Sequence, residues 1–271
     1  MSLESAQTLL ALYRRTLSIE SRKRVGYLRE SIIRLLDLPL DLLDGVVGGD
    51  RRLPPPRLRS QIGGSSSRRN FLQTGKRSAE EILRAIEGHV RPGERSTRWL
   101  DFGCGSGRVA RHLLRAVEID MTGIDVDRPA IDWCARHLHG SYVAIGKEPP
   151  TPLPEASFDV AFSVSVFTHF DELLQRSWLA ELRRLVRPGG LLVASTHSET
   201  LSYDRPDLSK AEYESLQSHG FAFRGGAGPF NSGIAFHTRE YLRREWSRYF
   251  TPLELRPAGL LGRLDLSVWR V

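Results

Sequence analysis

A doubly wound α/β fold is predicted for most of this 271-residue chain. It is a mostly parallel, seven-stranded sheet ending in a C-terminal β-hairpin, preceded by a helical N-terminal extension. Three observations carry that expectation. From Arg98 onward, short apolar β-type runs alternate with helix-period segments, the pattern of a parallel sheet with helices on both faces. A glycine-rich loop, "DFGCGSGR" at 101–108, stands between the first such run and the helix after it. Pro188-Gly189-Gly190 then stops the last helix of the alternation sharply before an apolar strand.

The elements follow in order. Between Leu9 and Leu36 apolar positions fall at helical spacing, clearest in Val25, Leu28, Ile32 and Leu35, with Arg22, Lys23, Arg24, Arg29 and Arg34 on the other side. Two helices are expected there. Pro39 ends them, and "RRLPPPRLRSQIGGSSSRR" reads as a connector. A helix resumes at "RSAEEILRAIEGHV", with Ser78 as its expected N-cap ahead of Glu80 and Glu81. Strands are then expected at "RWLDF", "DMTGIDV", "SYVAI", "FDVAFSVS" and "LLVASTH", with helices at "RVARHLLRAV", "RPAIDWCARHL" and "LQRSWLAELRRLV" between them. After a helix at "YLRREWSRYF", "TPLELRPAG" and "LDLSVWRV" read as the closing hairpin. The stretch 198–240 is too long for a passive connection and is expected to form a lid. The expected organisation is therefore residues 1–70 as a basic helical extension with connector, and 71–271 as the α/β domain carrying that lid.

Composition bounds the function. The 40% hydrophobic and 26% charged content is that of a soluble globular chain. No apolar run reaches the roughly 18 residues of a membrane span, and the N-terminus lacks the apolar core of a secretory signal, so a cytoplasmic protein is expected. The two cysteines have no metal-binding or disulfide-framework spacing. Of the net charge of +7, most lies in residues 1–70, which hold 13 Lys+Arg against 7 Asp+Glu. That end could meet an anionic membrane surface, nucleic acid or an acidic partner, or simply be a solvated helix face.

The glycine loop sits where open α/β sheets bind ligands, beyond the carboxyl ends of the strands, and the next helix offers free N–H groups. Three nucleotide and hydrolase motifs fail on spacing. No lysine follows the glycines as a P-loop requires, Ser106 is off-centre for a hydrolase elbow, and Arg108 replaces the third glycine of a dinucleotide fingerprint. Asp101 at the mouth of the loop would repel a pyrophosphate but suits an ammonium group. Asp125, twenty-four residues on, ends the second strand, from which an acid can take both ribose hydroxyls. Adenosine, an amino acid and no phosphate describe S-adenosylmethionine.

At this point the sequence resembles the class I S-adenosylmethionine-dependent methyltransferases. "LDFGCGSGR" looks like their first motif and "GIDVDRPAIDW" their second; "PLPEASFDVAFSVSVFTHF" and "WLAELRRLVRPGGLLVAS" resemble the fourth- and fifth-strand regions. The resemblance implies a Rossmann-like methyltransferase fold over roughly residues 70–271. It also implies that Asp101, Gly103, Gly105 and Gly107 line the methionine side, Asp125 holds the ribose and Val126 flanks the adenine, with Cys104, Ser106, Arg108 and Ser163 completing the cofactor site. Where such enzymes carry an acidic or amide residue for the adenine amine, this chain has Ile145 and Gly146, leaving a backbone group or Glu148 for that contact.

Methyl transfer from a sulfonium is an in-line displacement in which the protein aligns the reactants. A hydroxyl nucleophile also needs a base, and histidine suits neutral pH. His197 at the end of the fifth strand is the first candidate, with Glu199 or Asp171 as orienting or base groups; His169 and His237 are the others. No metal is expected. The expected activity is methylation of a small molecule or glycan, on oxygen, in the manner of bacterial small-molecule and glycan-modifying enzymes. A nucleic-acid methyltransferase is disfavoured because no Asn/Asp-Pro-Pro-aromatic element follows the fourth strand to hold a flipped base. A cofactor-binding scaffold without turnover is the remaining alternative. Oligomeric state is not legible.

Overall fold

The computed structural model describes residues 53–61, 66–89, 97–197, 208–226 and 232–271. The two helices expected within 9–36, with their basic side chains, lie outside the described residues, as do 198–207 (Glu199 among them) and 227–231 of the lid. The chain divides into two compact units, Met1–Arg68 and Arg69–Val271. In the first, the connector contains a short helix, α1 (Pro56–Ser60), entered through a proline that needs no N–H there. Arg59 in it is 1% exposed and donates from Nε to the Ser66 carbonyl at 2.6 Å and from Nη1 to that of Pro54 at 2.7 Å.

Helix α2 (Arg68–Glu87) opens the second unit. Ser78 is not its cap, as the sequence suggested, but a mid-helix residue, buried with its Oγ unpartnered. The buried stripe Phe71, Gly75, Ala79, Ile82 and Ile86 keeps helical spacing well before Ser78, so packing carries the helix back to Arg68.

The α/β alternation then runs as expected. The strands are β1 (Arg98–Phe102), β2 (Asp120–Asp125), β3 (Ser141–Ala144), β4 (Phe158–Ser163) and β5 (Val186–His197). Between them lie α3 (Ala110–Ala116), α4 (Arg128–His137) and α5 (Glu172–Leu185). Strand β5 starts before the Pro-Gly-Gly turn rather than after it, absorbing the turn as a register shift opposite Phe158 and Val160. Past the lid come α7 (Arg239–Trp246), β8 (Thr251–Leu260) and β9 (Leu264–Arg270).

The sheet order is β3-β2-β1-β4-β5-β9-β8, parallel from β3 to β5 and antiparallel at β5–β9 and β9–β8. Alternate residues feed two cores. Leu100, Ala161, Leu192 and Trp269 pack toward α5 and α7, whereas Trp99, Val160, Phe162, Leu191 and Val268 pack toward α2 and α3. This is the doubly wound, Rossmann-like methyltransferase fold. The winding reverses between β1 and β4, so the crevice at their carboxyl ends is the switch point where ligands of such sheets sit.

The lid was legible only as a long, glycine- and aromatic-rich stretch. Its described part holds α6 (Lys210–Ser218) and a second, two-stranded antiparallel sheet of β6 (Phe221–Arg224) and β7 (Ile234–His237). A capping box between Ser209 and Glu212 starts α6. Among the described residues no helix is long and apolar enough to cross a membrane.

Candidate functional site

The loop after β1 is held in shape from β2. Gly103, Gly105 and Gly107 all have positive φ, at 76°, 50° and 72°, the region that favours glycine. The N–H groups of Gly103 and Cys104 donate to the Ile124 carbonyl at 2.9 and 3.1 Å. The Asp125 carboxylate clasps the bend, with Oδ2 accepting from the Gly105 N–H at 2.7 Å and Oδ1 from the Asp127 N–H at 2.9 Å. Space reinforces conformation: a Cβ on Gly103 would lie 2.2 Å from Val166 Cγ2, and one on Gly107 2.3 Å from Leu138 Cδ1. The turn after β4 is thus packed directly against the loop after β1.

The electrostatics single out Asp101. Its side chain is 3% exposed, and Oδ2 has no hydrogen-bond partner. Burial first, and the nearby Asp125 carboxylate second, push its pKa well above the usual aspartate range, against a smaller opposing pull from Arg108. Burial lowers Arg108 to about 10, which leaves it cationic at neutral pH, and its Nε has no partner. Ser106 Oγ and Ser163 Oγ are also buried without partners, and Ser163 follows Phe162, the residue in register with Asp101. Buried polar atoms are normally paired. Four orphans around one crevice fit a polar ligand with both donors and acceptors. Val126 is half-buried beside Asp125. Cys104 turns its thiol inward, 3.5 Å from the Gly105 carbonyl, where the Cys134 thiol also points.

On the far side of β2, the Ile145 N–H is spent on the Asp125 carbonyl at 3.0 Å. Glu148 is exposed, and Trp178 Nε1 fixes the Lys147 carbonyl at 3.0 Å.

The three histidines converge on β7 and on Gly233 just before it. His169 Nδ1 lies 2.8 Å from the Gly233 carbonyl, and His197 Nδ1 lies 2.8 Å from the Ala235 carbonyl. A carbonyl only accepts, so both rings carry their proton on Nδ1 and keep a lone pair on Nε2 when neutral. Both are half-buried. His237 differs. It is 1% exposed, and burial lowers its pKa to about 3, so it is a neutral strut in the core rather than a group open to an acceptor. Its partner is Gln175, 1% exposed, whose amide nitrogen donates to the Phe167 and Phe170 carbonyls at 3.3 and 3.0 Å. The same amide meets His237 Nε2, which lies 2.9 Å from Gln175 Nε2 and 3.1 Å from its Oε1.

Asp171 sits on the surface as the cap of α5, accepting from the Leu174 N–H at 2.8 Å. Sequence reasoning did not single out Gln175; only its place eight residues after Phe167 on a helical face could have suggested it. Among the described residues no group of three or more His, Cys, Asp or Glu side chains could hold a metal ion.

Residues 100–194 match the family described as "Methyltransferase domain". Curated relatives include an O-methyltransferase of Pyrenophora dematioidea, 28% identical over 130 residues that make up 45% of this chain and 47% of that one. An O-methyltransferase of Aspergillus sclerotiorum is 33% identical over 100 residues, 34% of this chain and 37% of that one. The chain spans about half the length, or less, of the curated relatives it matches. Among solved structures, a SAM-dependent methyltransferase of Methanosarcina mazei is 16% identical with a TM-score of 0.52, covering 69% of this chain and 96% of that one. The 1,6-didemethyltoxoflavin-N1-methyltransferase of Burkholderia thailandensis, solved with S-adenosylhomocysteine, is 22% identical with a TM-score of 0.51, covering 72% and 77%. At these identities the structural likeness concerns the fold.

Proposed function

We propose that this chain, whose residues 100–194 match the methyltransferase domain family, transfers a methyl group from S-adenosylmethionine to a hydroxyl of a small molecule or glycan. The observation that carries the reading is the buried, unpartnered Asp101 carboxyl at the mouth of the 103–107 loop, with Asp125 one strand away. A carboxylate pair there favours a cationic, phosphate-free nucleoside over ATP or NAD. The curated relatives named O-methyltransferases support oxygen as the receiving atom.

The residues have separable tasks in this reading. Asp101 meets the ammonium of the cofactor's amino acid, and the Arg108 guanidinium balances its carboxylate. Asp125 holds the ribose with the lone pairs its two backbone bonds leave free. Ser106 and Ser163 supply the hydroxyls now unpartnered. The bound sulfonium supplies the activated methyl; the protein orients the acceptor and removes its proton. The lid carrying β6 and β7 forms the acceptor side. Calorimetry with S-adenosylhomocysteine, NAD and ATP tests the cofactor. Incubation with methyl-labelled S-adenosylmethionine and a panel of phenols, sugars and hydroxy acids tests transfer. Saturation by NAD or ATP with no heat from S-adenosylhomocysteine refutes the assignment.

A further inference from the structure

We propose that His169 is the base of this site and that Gln175 is its positioning residue, acting through β7 to hold the ring with its Nε2 lone pair free; this rests on the methyl-transfer reading. The first argument is place. β4 is the neighbour of β1, whereas β5 is one strand further out, with strands about 4.8 Å apart. The turn after β4 is packed onto the glycine loop: Val166 fills the space above Gly103, and Phe102 packs at 6.0 and 6.2 Å from Phe167 and Phe170. His169 stands between those two phenylalanines. His197, at the end of β5, is farther from the bend that would hold the sulfonium.

The second argument is a closed circuit of hydrogen bonds. His169 Nδ1–H donates to Gly233. Four residues further on, at the end of β7, His237 Nε2 meets the Gln175 amide, 2.9 Å from its Nε2 and 3.1 Å from its Oε1. The Gln175 amide nitrogen donates back to the carbonyls of Phe167 and Phe170, on either side of His169. One side chain therefore ties the turn that carries the imidazole to the strand led into by Gly233, whose carbonyl sets its tautomer. A neighbour that fixes the tautomer also fixes which nitrogen is basic. In the reaction, the acceptor oxygen forms its bond to the methyl carbon while the carbon–sulfur pair stays with sulfur. The hydroxyl proton passes to His169 Nε2, giving an imidazolium that later returns the proton to solvent.

Nitrogen-15 NMR of the histidine-labelled full chain at pH 8 reads this directly. His169 is expected as a single neutral Nδ1–H tautomer in the wild type and as a tautomer mixture in Gln175→Leu. Calorimetric affinity for S-adenosylhomocysteine should be unchanged. Gln175→Glu, which can accept from His237 but cannot donate to the two carbonyls, should not restore the single tautomer. An Nε2–H tautomer for His169 in the wild type overturns the proposal even if the leucine variant fails to fold. So does an unaltered tautomer in Gln175→Leu. Failure of the wild type to bind S-adenosylhomocysteine sinks the methyl-transfer reading instead, and leaves the tautomer result standing.

Discussion

Binding of the cofactor should release protons over a pH window, because burial pushes the carboxyl at the mouth of the loop well above the usual aspartate range in the free protein. Burial and the facing Asp125 raise Asp101, with Arg108 opposing, and the neighbouring Cys104 and Tyr142 are themselves pushed up. A ligand ammonium beside it reverses the balance, favouring the carboxylate. Between the bound-state and free-state pKa of Asp101, affinity for S-adenosylhomocysteine should then rise with pH by up to tenfold per unit, about 1.4 kcal/mol. The stability sign is the opposite. A folded-state pKa above the unfolded one stabilises at low pH, and that contribution is lost as pH rises through the raised value. The free protein should therefore lose stability over this window and regain it with ligand. Calorimetry in buffers of different ionisation enthalpy should count up to one proton released per ligand, at pH values below the roughly 7.7–8.0 at which α-amino groups titrate. 5′-Methylthioadenosine, which lacks the amine, should show no such slope, and Asp101→Asn should lose it. Proton release that persists in Asp101→Asn, or an affinity flat in pH for the wild type, would refute the reasoning.

Other outcomes follow from the same geometry. Gly103→Ala combines a left-handed backbone with a methyl 2.2 Å from Val166 Cγ2; it should lower unfolding free energy by about 2 kcal/mol or more in a urea titration. Asp125→Ala should weaken S-adenosylhomocysteine binding by about 1–3 kcal/mol, the range for hydrogen bonds to a charged group; an unchanged dissociation constant removes it from the site. In the lid, Arg224 and the Ser209 cap bring Glu212 down to about 2. That tie is present above the ordinary glutamate value and lost as pH falls from 4.5 toward 2. Hydrogen exchange in α6 and β6, corrected for intrinsic rates, should accelerate over that window in the wild type, and Arg224→Gln should remove the step.

The alternating segments from Arg98 were readable because each strand is a short apolar run between turn signals, and local pattern agrees with tertiary burial there. The loop was readable because its glycines answer a local conformational demand. What failed was decided by distant packing. Ser78 has the side chain of a cap, but Phe71 and Gly75 upstream already face the core, and burial outweighed the capping signal. His237 has the residue type of a base, yet its position on the inner face of β7 removes it from solvent. The partnership of Gln175 with His237 spans sixty-two residues and leaves no periodicity behind. The second small sheet was hidden for a similar reason: β6 and β7 are four residues each, too short for an alternation to stand out.

Strand β9 lies inside the sheet, between β5 and β8, although it follows every other strand in the chain. Until Leu264–Arg270 has been synthesised, β8 has nothing to zip onto, and β5 presents a bare ladder of amides and carbonyls along its outer rim. Val271 adds a final stitch, exchanging backbone bonds with Gly189 and Gly190 across from the Pro-Gly-Gly turn. A ribosome-tethered chain halted before Leu264 therefore forfeits two strands at once, and carries an adhesive edge at the moment when neighbouring nascent chains are closest.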